Sequence, residues 1–385
     1  MESGSAPPDP PVLDRPALRR VVRGVLGSAA AEPLDWSLEP VDYPVVWQGS
    51  HVHRVRGTAT DAGRTRPWRA VLKVLRRPVG GGDGLWQPGL TPEGYSYWRR
   101  EADLYRDGVL DRTWGDFRPP LCYGVDEPAP DTVHLWLEEV EETVGHDWPL
   151  ARHALAARHL GQFNGRYLVG EPVLRHPSFG RGYRLSPDAE RRTEEDLASE
   201  RWQHPAVRAV FPPAAVARIR RVWAARSVLL RALERAPTVF VHRDAFRNNL
   251  IACRDRTVAV DWALAGPGHL GEDLYKMVKN DAEFVRAPAP AKEMDAACFG
   301  GYLDGLCDAG WTGDPRVARL GYAATTLFQT PYRLLLHYLV DPDGPADAER
   351  EGRRPADEVV ASVADMGYLL LALAEEAIVL AERAP

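Results

Sequence analysis

The chain has 385 residues, 45% hydrophobic and 26% charged, with a formal net charge of −6. That length and apolar content can fill more than one core, so two domains are the natural expectation, while the acidic balance argues against nucleic acid as a main partner and fits a cationic substrate only weakly. Cys122, Cys253, Cys298 and Cys307 show no Cys-x-x-Cys spacing, so neither a zinc site nor a disulfide framework is indicated and a reducing cytoplasm is the expected compartment.

From the N-terminus, residues 1–14 are rich in Pro, Ser and Gly without an apolar centre, and read as a disordered lead, not a signal peptide. Gly49 and Ser50 mark a turn inside an otherwise β-prone segment at 45–55. Trp68-Arg69-Ala70-Val71-Leu72-Lys73-Val74-Leu75 reads as a strand with one embedded lysine, and a lysine in an apolar strand costs stability unless it is paired. The run Gly80-Gly81-Gly82-Asp83-Gly84 lacks a following Gly-Lys-Ser/Thr, so it fails as a phosphate-binding P-loop and reads as a flexible connection. Residues 95–110 are helical by pattern, with Tyr97, Glu101 and Tyr105 on one face, which makes Glu101 the preferred partner of Lys73. Val133-His134-Leu135-Trp136-Leu137 reads as a strand that breaks into the acidic run Glu138-Glu139-Val140-Glu141-Glu142.

Beyond that run the pattern is mostly helical, at 150–168, 207–233, 299–307 and 323–339, with an irregular stretch at 170–187 and no repeat of fixed period. The apolar tail at 359–380 is interrupted by Asp365, Glu375 and Glu376, so it reads as a packed helix and no membrane partner is expected.

The passage richest in chemistry is Val239-Phe240-Val241-His242-Arg243-Asp244-Ala245-Phe246-Arg247-Asn248-Asn249-Leu250, followed by Val258-Ala259-Val260-Asp261-Trp262. Phosphoryl transfer from a nucleotide needs a carboxylate to orient and deprotonate a hydroxyl, and oxygen ligands to hold Mg²⁺ on the phosphates. Asp244, Asn249 and Asp261 supply those groups. The run 238–241 reads as a short buried strand, which puts Asp244 on the loop leaving it and Asn249 at the far end of that loop. After the turn signal Arg254-Asp255-Arg256, a second strand at 257–260 delivers Asp261 at its end. His242 is expected beneath the loop, bonded to its backbone.

These residues resemble the catalytic and metal-binding loops of the aminoglycoside phosphotransferase and choline kinase-like family, relatives of the protein kinases, whose pattern is His-x-Asp-x₄-Asn and then a hydrophobic strand ending in Asp. The continuation Gly266-Pro267-Gly268-His269-Leu270-Gly271-Glu272-Asp273-Leu274 fits that ending. The resemblance implies an α+β, bilobal protein-kinase-like fold: a lead at 1–14, a small β-rich nucleotide-binding N-lobe at 15–138, and a larger, mainly helical C-lobe at 139–385. It implies Asp244 as catalytic base, Asn249 and Asp261 as Mg²⁺ ligands, and His242 and Asp273 as structural supports. It asks for a strand lysine paired with a helical glutamate, met by Lys73 and Glu101, for a phosphate-cradling turn, placed weakly at Gly49 and Ser50, and for backbone contacts to adenine near Glu138, Glu139 and Val140.

The activity so implied is ATP- or GTP-dependent transfer of the γ-phosphate to a hydroxyl of a small molecule, by a monomer or homodimer. An antibiotic of aminoglycoside or nucleoside type, in resistance or self-resistance, is the first expectation for the acceptor; a metabolite of choline or sugar type is the second. Arg243 recreates the His-Arg-Asp of protein kinases, but Phe246 stands where those kinases carry a lysine and no Ala-Pro-Glu follows, so a protein kinase ranks lower. Arg247 is the candidate to reach the γ-phosphate in that lysine's place. A non-catalytic nucleotide-binding module is the remaining class, disfavoured because no base or metal ligand is missing. For the acceptor pocket, Asp147, Asp281, Glu283, Tyr302, Tyr332, Arg333 and His337 are candidates; acidic liners would suit an amino sugar or an amino alcohol, and Arg181, Arg184 and Arg333 would equally suit a nucleoside or an anionic acceptor.

Overall fold

The computed structural model describes residues 11–41, 51–78, 89–92, 94, 96–180, 187–284, 288–327 and 332–383. The start of the lead, the turn at Gly49 and Ser50, the glycine run at 80–84, and Arg181 and Arg184 lie outside the described residues. So do the side chains of Asp281, Glu283 and Arg333. The fold is mixed α+β, with a β-sheet N-terminal region and a helical C-terminal region. The chain forms two compact units: one of Met1–Arg112, Pro119–Glu141 and His176–Gly180, the other of Thr113–Arg118, Glu142–Arg175 and Arg181–Pro385. No single cut in the sequence describes that division.

In the first unit, helix α1 (Arg15–Leu26) precedes strands β1 (Glu32–Pro40), β2 (His51–Asp61) and β3 (Arg64–Arg76). Helix α2 is Arg100–Arg106; in the other unit lies the short β4 (Phe117–Arg118), and β5 (Cys122–Ala129) and β6 (Thr132–Leu137) complete an antiparallel sheet of order β1-β2-β3-β6-β5. Ala62 and Gly63, both at positive φ, close the two-residue β2–β3 hairpin in the backbone sense that matches strand twist. Strand alternation then sorts β3: Trp68, Ala70, Leu72 and Val74 join Leu18, Val21 and Val22 of α1 in one core. Residues of the other parity face away from that core, and there Leu75 packs with Ala102 of α2, Trp98 and Val133. The helix expected at 95–110 is shorter because the chain at 96–99 turns and pairs Gly89 with Tyr97 in an isolated bridge.

In the second unit, α3 (Leu150–Gly165), α4 (Pro187–Ala198), α5 (Pro205–Val210), α6 (Pro213–Ala224) and α7 (Arg226–Arg235) lead to the strands β7 (Thr238–Val241), β8 (Leu250–Cys253), β9 (Arg256–Ala259) and β10 (Gly266–His269). The helix or pair expected at 207–233 is three helices: Pro212 and Pro213 cannot continue a helix interior and separate α5 from α6, and Ala225 stands between α6 and α7. Strands β8 and β9 form a hairpin with β4 added in parallel to β9, and β10 pairs antiparallel with β7. Then come α8 (Glu272–Phe284), α9 (Ala291–Asp308), α10 (Pro315–Leu327), α11 (Tyr332–Val340), α12 (Gly344–Gly352) and α13 (Ala356–Arg383). Among the described residues no helix is long and apolar enough to cross a membrane, α13 included.

Two features make the second unit's floor rigid. Helices α3 and α9 touch through glycines: a Cβ on Gly305 would sit 1.9 Å from the carbonyl oxygen of Arg158, and one on Gly161 2.2 Å from that of Tyr302. Beneath the hairpins, Trp114, Phe163, Phe240 and Trp262 pack as one aromatic cluster, with Trp114 and Phe163 edge-to-face at 4.8 Å and Phe240 stacked on Trp262 at 6.1 Å. An array that dense lets the loops above it hold fixed geometry.

Candidate functional site

In the first unit, Lys73 lies in mid-strand on β3, opposite Val52 of β2 and Leu135 of β6. Its Nζ is 2.6 Å from Glu101 Oε2, and Glu101, on α2, is 1% exposed. Burial of both partners makes each depend on the other, because a lone charge in that position would be left uncompensated. Arg100, next to Glu101, is fully buried and donates to the carbonyl oxygens of Ser178 (2.5 Å), Pro92 (3.1 Å) and Gly94. Ser178 Oγ bonds Asp103 at 3.0 Å and His176 Nε2 meets Asp107 at 2.8 Å. The segment His176–Gly180 thereby braces α2, the helix that presents Glu101.

At the end of β6, where backbone contacts to adenine are expected, the Glu138 N–H donates to Leu121 O at 2.8 Å and so extends the sheet pairing. Glu139 Oε1 accepts from Arg56 at 2.7 Å and lies 3.4 Å from Arg54. Val140 is half-buried beside it.

In the second unit, His242 follows the end of β7 and the loop turns at Arg243, which takes the left-handed conformation at φ 65°. That backbone, costly for a residue with a Cβ, is fixed from below: Asp273 at the start of α8 accepts the N–H of His242 (2.9 Å) and of Arg243 (2.6 Å). Burial pushes the Asp273 carboxyl up to about 7 against the pull of those two donors. The Arg243 side chain is also buried, its Nε on Glu272 Oε1 at 2.9 Å and its other nitrogens on the carbonyls of Leu264 and Pro267. His242 Nε2 donates to Val260 O (3.0 Å), its Nδ1 accepts the Asp244 N–H (3.2 Å), and its ring meets Trp262 edge-on at 4.5 Å.

Those supports present the Asp244 carboxylate. Its Oδ2 accepts from Asn249 Nδ2 at 2.8 Å, and its Oδ1 lies 3.1 Å from Lys276 Nζ on α8. Asn249 Nδ2 also donates to the Asp244 carbonyl (3.0 Å), so both of these bonds of the amide nitrogen go to Asp244 and fix which way the amide faces. The β9 strand ends and Asp261 follows at φ 63°, a second left-handed residue without glycine. Its carboxylate and the Asn249 amide oxygen are hard-oxygen atoms of the kind Mg²⁺ takes, an ion that keeps most of its ligands from phosphate and water. Among the described residues no three His, Cys, Asp or Glu side chains converge into a complete protein cage for a metal.

Arg247 corrects an expectation. It is 5% exposed and its guanidinium is committed to the protein: Nε to His146 O (3.0 Å), Nη1 to Leu250 O (2.7 Å), Nη2 to Gly145 O (2.8 Å) and to Glu142 Oε2 (3.2 Å). It also stacks on Trp148 at 4.1 Å. Its geometry is that of a tie between the loop and residues 142–148, not of a group reaching a phosphate. Tyr302 is likewise no pocket liner: it is fully buried, bonding Asn164 Oδ1 and accepting the Gly271 N–H. His337 lies between Asp341 and Asp347, which raise its pKa, Tyr332 is buried and Asp147 is exposed.

The residue that sequence reasoning missed is Lys276. Its only signal was helical spacing, since Asp273 and Lys276 three apart on a helix share a face.

The hairpin is also buttressed by a buried histidine. His159 Nδ1 lies 2.9 Å from Thr257 Oγ1, which Arg152 also bonds, and burial, aided by Arg152, holds His159 down to about 4. The folded form refuses a proton that the unfolded chain takes near pH 6.5, so this stability is full above pH 6.5 and is lost as pH falls towards 4, by about 3 kcal/mol at most. Urea midpoints should fall across that window, and His159→Gln should flatten the trend; an unchanged slope in the variant would remove His159 as the cause.

With this geometry in view, comparison with known proteins gives a consistent result. Residues 126–312 match the model of the phosphotransferase enzyme family. No curated protein sequence matches the chain. Among solved structures, an aminoglycoside phosphotransferase from Alicyclobacillus acidocaldarius aligns with 99% of this chain and 99% of its own at 14% identity and a TM-score of 0.53, a likeness of fold. A choline kinase from Cryptosporidium parvum (12% identity, 89% of each chain, TM-score 0.45) and a choline/ethanolamine kinase family protein from Mesorhizobium loti (15% identity, 90% of this chain and 93% of its own, TM-score 0.45) also align. The match of residues 126–312 includes the whole of both hairpins, so over that stretch the chain is similar to the phosphotransferase enzyme family, and the match supports a small-molecule kinase.

Proposed function

We propose that the chain transfers the γ-phosphate of ATP or GTP to a hydroxyl of a small molecule, with Asp244 as the base that orients and deprotonates that hydroxyl. The observation that carries this reading is the fixed carboxylate of Asp244, held between Asn249 and Lys276 on a loop whose backbone is pinned by Asp273. A base so held loses little entropy on reaching the reactive geometry, which is where positioning gains rate. Asn249 and Asp261 are the residues that would hold Mg²⁺, which when bound neutralises charge on the transferring phosphoryl group. Lys73, kept in place by Glu101, serves the α- and β-phosphates, and the first unit is the nucleotide-binding domain in this reading. Acceptors of antibiotic or metabolite type both suit such a site.

The experiment is direct: incubate the full chain with ATP or GTP, Mg²⁺ and a panel of hydroxylated antibiotics and metabolites, and follow a mass gain of one phosphate. Transfer abolished by EDTA supports the reading. Label appearing only in added protein substrates would overturn it.

A further inference from the structure

We infer that Lys276 makes the surroundings of the Asp244 carboxylate charge-neutral and so selects acceptors that carry no cation next to the reacting hydroxyl. The inference rests on the phosphotransferase reading above and names the acceptor class for that same site.

Lys276 projects from α8, whose first turn is locked to the catalytic loop through Asp273 and Glu272. Its side chain is 8% exposed and its Nζ is 3.1 Å from Asp244 Oδ1, while Asn249 takes Oδ2. Each oxygen of the base therefore has a fixed donor. A hydroxyl that donates to Asp244 at an ordinary hydrogen-bond length of about 2.7 Å comes within about 6 Å of Nζ. At that range two unit charges in an effective dielectric near 20 change affinity by about a hundredfold, so Lys276 cancels a large part of the attraction that the nearer Asp244 charge alone would offer a cation.

Among the described residues, carboxylates that touch the loop or line the later helices are already paired. Glu272 is taken by Arg243 and Glu142 by Arg247. On the later helices, Asp295 and Glu376 are bridged by Arg319, Glu375 by Arg218, and Asp341 by Arg201 and His337. An amino sugar or a quaternary amine binds where carboxylates are uncommitted, whereas a neutral polyol, a nucleoside or an anionic sugar ester meets no penalty beside a neutral ion pair.

The test uses the full chain with γ-labelled ATP, Mg²⁺ and five probes: choline and kanamycin as cations, uridine and glucose as neutral acceptors, and glucose 1-phosphate as the anion. Label should pass to the neutral or anionic probes. Lys276→Met and Lys276→Glu should raise kcat/KM for the cationic relative to the neutral probes by about tenfold or more, while Lys276→Arg, which keeps the charge, should hold the wild-type ratio. Preferred transfer by the wild type to choline or kanamycin, or an unchanged ratio in Met and Glu variants that remain folded, would overturn the inference while the phosphotransferase reading stands. Transfer to none of the five or of the wider panel would overturn that reading, and this inference with it.

Discussion

Replacing Asp244 with Asn should lower kcat for acceptor phosphorylation by about a thousandfold, the middle of the range for loss of a general base, with nucleotide affinity close to unchanged. The amide keeps the size and the acceptor oxygen that Asn249 and Lys276 face, so the loop should keep its shape. What disappears is the capacity to take a proton and the charge that balances Lys276. Steady-state kinetics beside a nucleotide titration separates these effects. A kcat within a few-fold of wild type in folded protein would show that the proton leaves by another route.

Lys73→Met should cost about a hundredfold or more in kcat/KM for the nucleotide. The pair it breaks is a mutual one: Glu101 is 1% exposed, and Lys73→Met removes the cation 2.6 Å from its buried charge. The variant should therefore also lose stability, by about 3 kcal/mol. Glu101→Gln supplies the contrast, since it keeps a hydrogen-bond acceptor for Lys73 and relieves the buried charge; its loss of nucleotide use should be smaller than that of Lys73→Met. Equal nucleotide kinetics in wild type and Lys73→Met would take Lys73 out of the site.

How much of this could be read from the residues follows from where the signals are local. Residues 238–241 and 257–260 are apolar, β-branched and bounded by turn residues, so both strands were legible, as was the strand bearing Lys73. The Lys73–Glu101 contact was legible because a buried lysine demands a partner and one helix offered it in the right part of the chain. What stayed hidden depends on contacts distant in sequence. Nothing around Arg247 announces that Glu142, Gly145 and His146, a hundred residues earlier, absorb its donors, and it was assigned to phosphate instead. Lys276 looks like any helical lysine until α8 is docked under the loop by Asp273. Similarly, the short strands β4 and β10 have too few residues to show a period, and exist because β9 and β7 offer them open edges. The brace of His176–Gly180 on α2 was legible only as an irregular stretch rich in Pro and Gly.

The central claim is that the loop and hairpin from His242 to Asp261 hold both the base and the ligands of a metal-bound nucleotide. Its most direct test is the Mg²⁺ dependence of phosphate transfer in Asp261→Asn beside wild type. Exchanging a carboxylate for an amide removes the charged oxygen ligand with little change in shape, so half-maximal activity should need about tenfold or more higher free Mg²⁺, with a lower ceiling. An Asp261→Asn protein with wild-type rate and an unshifted Mg²⁺ curve would contradict the account.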